Sequence, residues 1–316
     1  VYKRQVLEDS GEQVVGVASN ITMAYEWNGR RLVAGVASAW AVDPEHRGGS
    51  ILLTDKYFRQ KHVDLLLDTS MVAESVPIFD AYKAQRIPRA ACDRVLTWIT
   101  HYSGFFAGLL RHKGFSRSAG IGRVAGTALW GVDSLLRRNR YGRTGALVRE
   151  VHEFDERFDV FWDRLRRSED RLVGVRSRES LAWHFKYRLV DGRAKIVVLE
   201  DGEDISGYLV LARTDRDDID LRRYHVADFQ VLTETPEHVE ALMAGALRLA
   251  RTDRVHLVEV FGQEPFKRQV LETLAPHHRK LPVWSYMYKT LNPDLRSALA
   301  RPDAWDPSPF DGDATL

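Results

Sequence analysis

Cysteine is nearly absent from this chain. Cys92 stands alone, so no internal disulfide and no cysteine-rich zinc site can form, which suits a reducing compartment. Long hydrophobic runs are also missing. No stretch has the roughly 20 apolar residues that span a bilayer, and no secretory signal is visible. The histidines at 184, 225, 277 and 278 have no third ligand at metal-binding spacing, so no metal is assigned. Nor does one sign of charge dominate, since 46 basic and 44 acidic residues leave a net charge of +2. The expectation is a cytoplasmic protein. What is present is enough apolar side chain, 44% of 316 residues, to fill about two domain cores.

One stretch organises the rest. Val36–Val42 is a strand-length apolar run, Asp43-Pro44 signals a turn, and Arg47-Gly48-Gly49-Ser50 leads into a helix over Ile51–Gln60. A second apolar run follows at Val63–Leu67. A glycine loop feeding a helix start offers backbone N–H groups and a helix dipole to an anion. The same glycines also suit a plain turn.

The first five residues, Val1–Gln5, are what GTG-TAT-AAG-AGA-CAG encodes, the end of a transposase adapter. They read as an assembly scar preceding a truncated N-terminus, to be left out of fold reasoning. Gln13–Trp27 and Arg31–Val42 then form a hairpin about Asn28-Gly29, a strong turn signal. Met71–Ala84 reads as a helix in which Pro77 predicts a kink or a late start. Ala90–Thr100 reads as a closing strand. Glu150–Arg167 reads as an amphipathic helix, with Phe154, Phe158, Phe161, Trp162 and Leu165 at helical spacing. Strands are expected at Ala194–Glu200, Ile205–Arg213, Tyr224–Leu232, Val255–Val260 and Pro282–Leu291, and helices at Pro236–Arg251 and Pro265–Leu274.

The halves repeat. Pro44-Glu45-His46 returns as Pro236-Glu237-His238, and Val63-Asp64-Leu65-Leu66 as Val255-His256-Leu257-Val258, each 192 residues on (236 − 44 and 255 − 63). The order hairpin, strand, helix, strand, helix, strand occurs twice. From the end of the first copy into the linker, Lys83 to Arg149 carries thirteen basic residues against Asp93 and Asp133, so the remainder is acidic. Glycines break the apolar patterns there, and the charge suggests an anionic surface as partner or a solvated linker. No nucleic-acid motif accompanies it, so nucleic acid is not expected.

A hairpin, then V-x-P-x-x-R-G near a strand end, then helix, strand and helix resembles the GNAT acetyltransferases. The tandem arrangement, with Trp305 and Asp311-Gly312-Asp313 at the end, is similar to GNAT-like proteins associated with bacterial surface-polysaccharide genes. The resemblance implies an α/β fold of two tandem GNAT-like mixed-sheet domains joined by a basic helical linker. The boundaries are 1–101, linker 102–167, 168–292 and a tail 293–316. It implies acetyl-CoA or another acyl-CoA as cosubstrate, with its pyrophosphate at Val42, Arg47, Gly48, Gly49, Ser50, Ile51 and Leu52. It also implies acyl transfer to an amine, on an amino sugar or glycan precursor. The alternative is a catalytically degenerate accessory protein of a glycan-assembly or membrane-surface complex.

Departures from the family pattern mark the details. Ser50 stands where the family has its first loop glycine, and Leu52 where it has a small residue. Phe79 stands where a tyrosine often protonates the leaving thiolate; Tyr82 is one turn away. The second copy has no loop glycine and carries Glu237 and Glu240, which would repel a pyrophosphate. The first copy is therefore the one expected to bind CoA. The chemistry needs a base for an ammonium, and Glu26, on the hairpin strand, is the leading candidate, or else a solvated hairpin-end carboxylate. Asp68 and Ser75 line the cleft or cap the local turns. Asp228 is a buried paired carboxylate or a substrate contact. The Trp305–Asp313 tail reads as a docked end. Amphipathic helices in 102–149 would hold the protein at the inner face of an anionic membrane, through cations that include Arg137, Arg138 and Arg140.

Overall fold

The computed structural model describes residues 3–88, 94–115, 131, 147–168, 171–281 and 285–315. Residues 116–130 and 132–146 of the basic linker, with Arg137, Arg138 and Arg140, lie outside them, as does Cys92. The chain divides into two compact units, neither of them continuous in sequence. One comprises Val1–Asp93, Arg166–Val175 and Pro282–Leu316, the other Arg94–Leu165 and Arg176–Leu281.

The first unit opens with β1 (Lys3–Glu8), β2 (Val14–Trp27) and β3 (Arg30–Val42). Asn28 and Gly29 both take positive φ, 48° and 71°, as a two-residue hairpin turn requires. A 3₁₀ turn, Pro44–Gly49, runs into α1 (Ser50–Phe58), and β4 (Leu65–Met71) returns parallel to β3. Pro77 sits in the first turn of α2 (Val76–Ala81), which explains the late start. β5 (Gln85–Arg86) is short. Lys3, Arg4 and Gln5, read from the sequence as foreign to the fold, pair with Asn20, Ser19 and Ala18 of β2. Main-chain pairing asks little of side-chain identity, so an extended segment can complete a sheet edge whatever its origin.

The next strand departs from expectation. β6 (Arg94–Ile99), read as closing the first copy, lies in the other sheet, antiparallel to β12 (Leu257–Val260). Conversely β14 (Ser285–Lys289), from the end of the second copy, pairs with β4 and β5 of the first. The first sheet runs β1-β2-β3-β4-β14-β5, with β8 (Val173–Gly174) against β2. The second uses β7 (Val148–Val151), β9 (Ala194–Asp201), β10 (Asp204–Arg213), β11 (Arg223–Val231) and β13 (His277–Lys280), in the order β7-β9-β10-β11-β12-β6-β13. From β1 and β9 onward the two orders correspond, each with its penultimate strand supplied from the other end of the chain. A strand pattern specifies extended backbone and a buried face but not the partner.

The remaining helices among the described residues are α3 (Tyr102–His112), α4 (Arg157–Ser168), which starts later than the sequence pattern suggests because Val148–Val151 is a strand, α5 (Arg178–Val190), α6 (Pro236–Thr252), α7 (Pro265–Leu274) and α8 (Pro293–Leu299). In the second unit Val239, Leu242, Met243, Ala246, Leu247 and Ala250 of α6 are buried against Leu209, Leu211, Val226 and Val258 of the sheet. Their three-and-four spacing gives one continuous apolar face, and each large side chain contributes roughly 1.5–3 kcal/mol by burial. The first unit's core is more aromatic, with Tyr57, Phe58 and Phe79 joined by Ala37, Leu66 and Met287. No helix among the described residues is long and apolar enough to cross a membrane.

Candidate active site

In the first unit β3 and β4 pair in parallel only at Ala34–Leu65, Gly35–Leu66 and Val36–Leu67. Beyond Val36 the strands part. Two features mark the parting. Ala39 has φ of 48°, and the β2–β3 register slips between Val17 and Ser19 opposite it, a bulge that bends β3. The Tyr57 hydroxyl of α1 also reaches the point of divergence, at 3.0 Å from the Gly35 carbonyl and 2.8 Å from that of Leu67. It tethers the two strands where their ladder ends. Burial, chiefly, raises the Tyr57 phenol well above its ordinary range, so the hydroxyl keeps its proton and stays a hydrogen-bond donor to these carbonyls.

The opening is a cleft of about 210 Å³ whose lining includes Ser38, Trp40, Asp68, Ser70, Ser75 and Asp313. Asp68, the first residue of β4 past the paired segment, accepts the Ser70 N–H at 3.1 Å. Burial pushes its carboxyl from 3.8 up to about 6; the Ser70 N–H opposes this and the charge of Asp313 adds to it. Asp313 accepts the Ser38 hydroxyl at 2.7 Å. Trp40 donates its indole N–H to the Ser19 carbonyl at 3.2 Å and meets Tyr57 edge-on, centroids 5.2 Å apart.

Asp313 arrives on the tail, which is docked as expected but also contributes to the cleft. Trp305 is buried with its N–H on the Leu299 carbonyl at 2.9 Å, and Tyr25 donates to Asp311 at 3.0 Å. Gly312 lies against Thr69 of β4 so closely that a Cβ would collide with the threonine side chain. Only glycine lets the tail run this near the strand. The sequence signal for Asp313 was the run Asp311-Gly312-Asp313 itself. Its position beside Asp68 depends on a contact across more than 200 residues.

Of the residues singled out from the sequence, Ser75 lines the cleft; Glu26 and Tyr82 do not. Glu26 is at the hairpin end, 3.5 Å from Arg166. Its cross-strand partner Arg31 is seven residues from Ser38 along β3 (38 − 31), about 23 Å at strand rise. Tyr82 stacks on Phe58, centroids 4.6 Å apart, and donates to Asp55 at 3.3 Å. Desolvation, with Asp55, raises its phenol. The glycine loop is a helical turn. Ser50 gives both its N–H and its hydroxyl to the Arg47 carbonyl, so those donors are used within the chain. Gly49 packs on Leu7, where a Cβ would clash. Gly48 faces open space, and Arg47, Ile51 and Leu52 are exposed, with Val42 half-buried just before the turn.

The second sheet parts at the corresponding place, after Val226 and Val260, and polar side chains beyond that point are buried. Lys267 of α7, 2% exposed, donates to the Phe229 carbonyl at 2.6 Å. Asp228 is wholly buried and takes three contacts from Arg176 at 2.9–3.1 Å and one from Tyr208 at 2.6 Å. It is a paired structural carboxylate.

No protein-family model matches the sequence, and no curated protein matches it. Solved structures do. A GCN5-related N-acetyltransferase from Anabaena variabilis is similar at a TM-score of 0.54 and 12% identity, over 92% of this chain and 63% of that one. One from Kribbella flavida gives 0.51 and 18%, over 92% and 60%. Saccharomyces cerevisiae N-myristoyltransferase with bound myristoyl-CoA gives 0.52 and 10%, over 95% and 68%. The chain spans about three fifths of the length of the two GCN5-related structures. At such identities the likeness is one of fold: an α/β chain with two mixed sheets and the GNAT architecture.

Proposed function

We propose that this protein transfers an acyl group from an acyl-CoA, acetyl-CoA or a longer one, to an amine, in the cleft where β3 and β4 part. The observation that carries the reading is Asp68. It is a carboxylate at the strand divergence of an N-acyltransferase fold, held near 6, where it is mostly ionised at neutral pH yet basic enough to accept a proton. An amine arrives as its ammonium ion and gives one proton to Asp68. The neutral nitrogen attacks the thioester carbonyl, and the tetrahedral intermediate collapses to an amide and a thiolate. The proton left on the new amide nitrogen goes to the thiolate. Asp313 adds a second negative charge beside the ammonium, and the Ser38, Ser70 and Ser75 hydroxyls offer hydrogen bonds. Arg47, exposed beside open Gly48, supplies the cation for the CoA phosphates; Val42 and Gly49–Leu52 shape that rim.

The two units are then tandem copies in which the first carries the chemistry. The second, with Lys267 buried on the Phe229 carbonyl past its parting and Asp228 paired with Arg176, is the degenerate member, which accommodates the accessory reading within one molecule. The finer substrate, an amino sugar or glycan precursor, draws support from Trp40, whose ring suits the apolar face of a sugar. An anionic membrane surface at residues 102–149 completes the proposal. It predicts pelleting with anionic liposomes that weakens with salt. Thiol release from acetyl-CoA, and from longer acyl-CoAs, in the presence of amino sugars tests the central reading. Amine-dependent release that Asp68→Asn abolishes supports it; no release with any acyl-CoA and amine overturns it.

A further inference from the structure

The second sheet has another face. Alternation puts Trp98, Val258 and Tyr224 into the core beneath α6 and α7, and Ile99, Thr97, Leu257, Glu259 and Arg223 on the opposite side. There they floor a cavity of about 540 Å³, walled by Phe105 and Leu109 of α3 and by Ile219 and Leu221. Such a volume is in the range of sites that enclose small organic ligands, about 300–1,000 Å³.

The floor is not a neutral surface. Glu259 is 1% exposed and grips two guanidinium groups. Arg279 meets one of its oxygens through two nitrogens, at 3.1 and 2.7 Å. Arg223 and His225 meet the other at 3.2 and 3.0 Å. Burial pushes Glu259 up, but His225 and Arg279 outweigh it and hold the carboxyl at about 2. Burial lowers His225 in turn. One carboxylate against two guanidiniums leaves a cationic surplus. Arg279 is 46% exposed, and an arginine has five N–H donors, more than its contacts with Glu259 use. Apolar walls over a cationic floor, with Arg279 fixed in orientation by a buried carboxylate, complement one kind of occupant.

We propose that this cavity binds an amphiphilic anion, a hydrocarbon body with a single carboxylate or phosphate head. The body lies against Phe105, Leu109, Ile219 and Leu221, and the head reaches Arg279. This site is separate from the β3–β4 cleft, so its occupancy is read without any acyl transfer.

Calorimetry on the full chain tests it with monomeric dodecanoate, dodecyl phosphate, dodecyl maltoside and dodecyltrimethylammonium. Both anions bind, and their ratio distinguishes a carboxylate from a phosphate ligand. The neutral and cationic amphiphiles bind at least tenfold more weakly. Arg279→Gln weakens anion binding at least tenfold and removes the preference for anions. Leu109→Glu, at a position 36% exposed, blocks the wall and abolishes binding with an unchanged far-ultraviolet spectrum; it decides the matter if the arginine variant misfolds. Equal binding of all four amphiphiles, anion binding that survives Leu109→Glu, or no heat with either anion overturns the proposal.

Discussion

Replacing Asp68 with asparagine separates stability from activity. A carboxyl moved from 3.8 to about 6 costs the folded protein about 3 kcal/mol when ionised, somewhat less where water reaches the cleft. The folded value lies above the unfolded one, so the fold favours the protonated acid. That contribution is complete below about 3.8 and is lost as pH rises through about 6. Asp68→Asn, which keeps the shape and removes the charge, is therefore expected to stabilise the protein by about 2–3 kcal/mol at pH 8. The gain shrinks to less than about 1 kcal/mol at pH 4. The same variant loses the base and drops the transfer rate by about 10²–10⁴, and wild-type activity falls as pH goes below about 6. Urea denaturation at both pH values, with thiol-release kinetics on the same preparations, measures both effects. An asparagine variant no more stable at pH 8 than wild type, or a gain equal at the two pH values, refutes a burdened carboxylate at Asp68.

Gly312→Val has no room beside Thr69 and is expected to lift the tail and displace Asp313. Activity falls about a hundredfold, the effect of a misplacement of about 1 Å, while stability falls by only about 1–3 kcal/mol. Arg47→Glu reverses a charge at the proposed phosphate rim; CoA affinity by calorimetry falls about tenfold at low salt and recovers partly as salt screens the repulsion. Asp228→Ala leaves Arg176 buried without its carboxylate and costs about 3–5 kcal/mol in urea. A paired Asp228→Leu and Arg176→Met change recovers most of that, and neither variant changes the amine specificity.

Much of the local structure was legible because it is written in nearest-neighbour terms. Asn28-Gly29 can only favour a tight hairpin, Pro77 can only enter a helix near its start, and the spacing in α6 admits one buried face. The repeat of 192 residues also foretold two sheets of corresponding order. It could not foretell that β6 and β14 trade places, because both are short apolar strands whose patterns fit either sheet. The cleft itself was half legible. Ser75 and Asp68 follow from the end of the second strand. Glu26 lies on the hairpin strand at the end away from the parting, since strand direction reverses at the hairpin.

The sequence by itself determined most of the longer strands and helices and the position of the strand–turn–helix unit, since each depends on residues near one another in the chain. Only the tertiary structure decided which carboxylates share the cleft. Asp68 is raised by what encloses it, and Asp313 stands beside it because Gly312 tolerates the press of Thr69 and because Trp305 and Asp311 dock the tail. Those are contacts between segments hundreds of residues apart, where free energy depends on distance and burial and no spacing in the sequence records either.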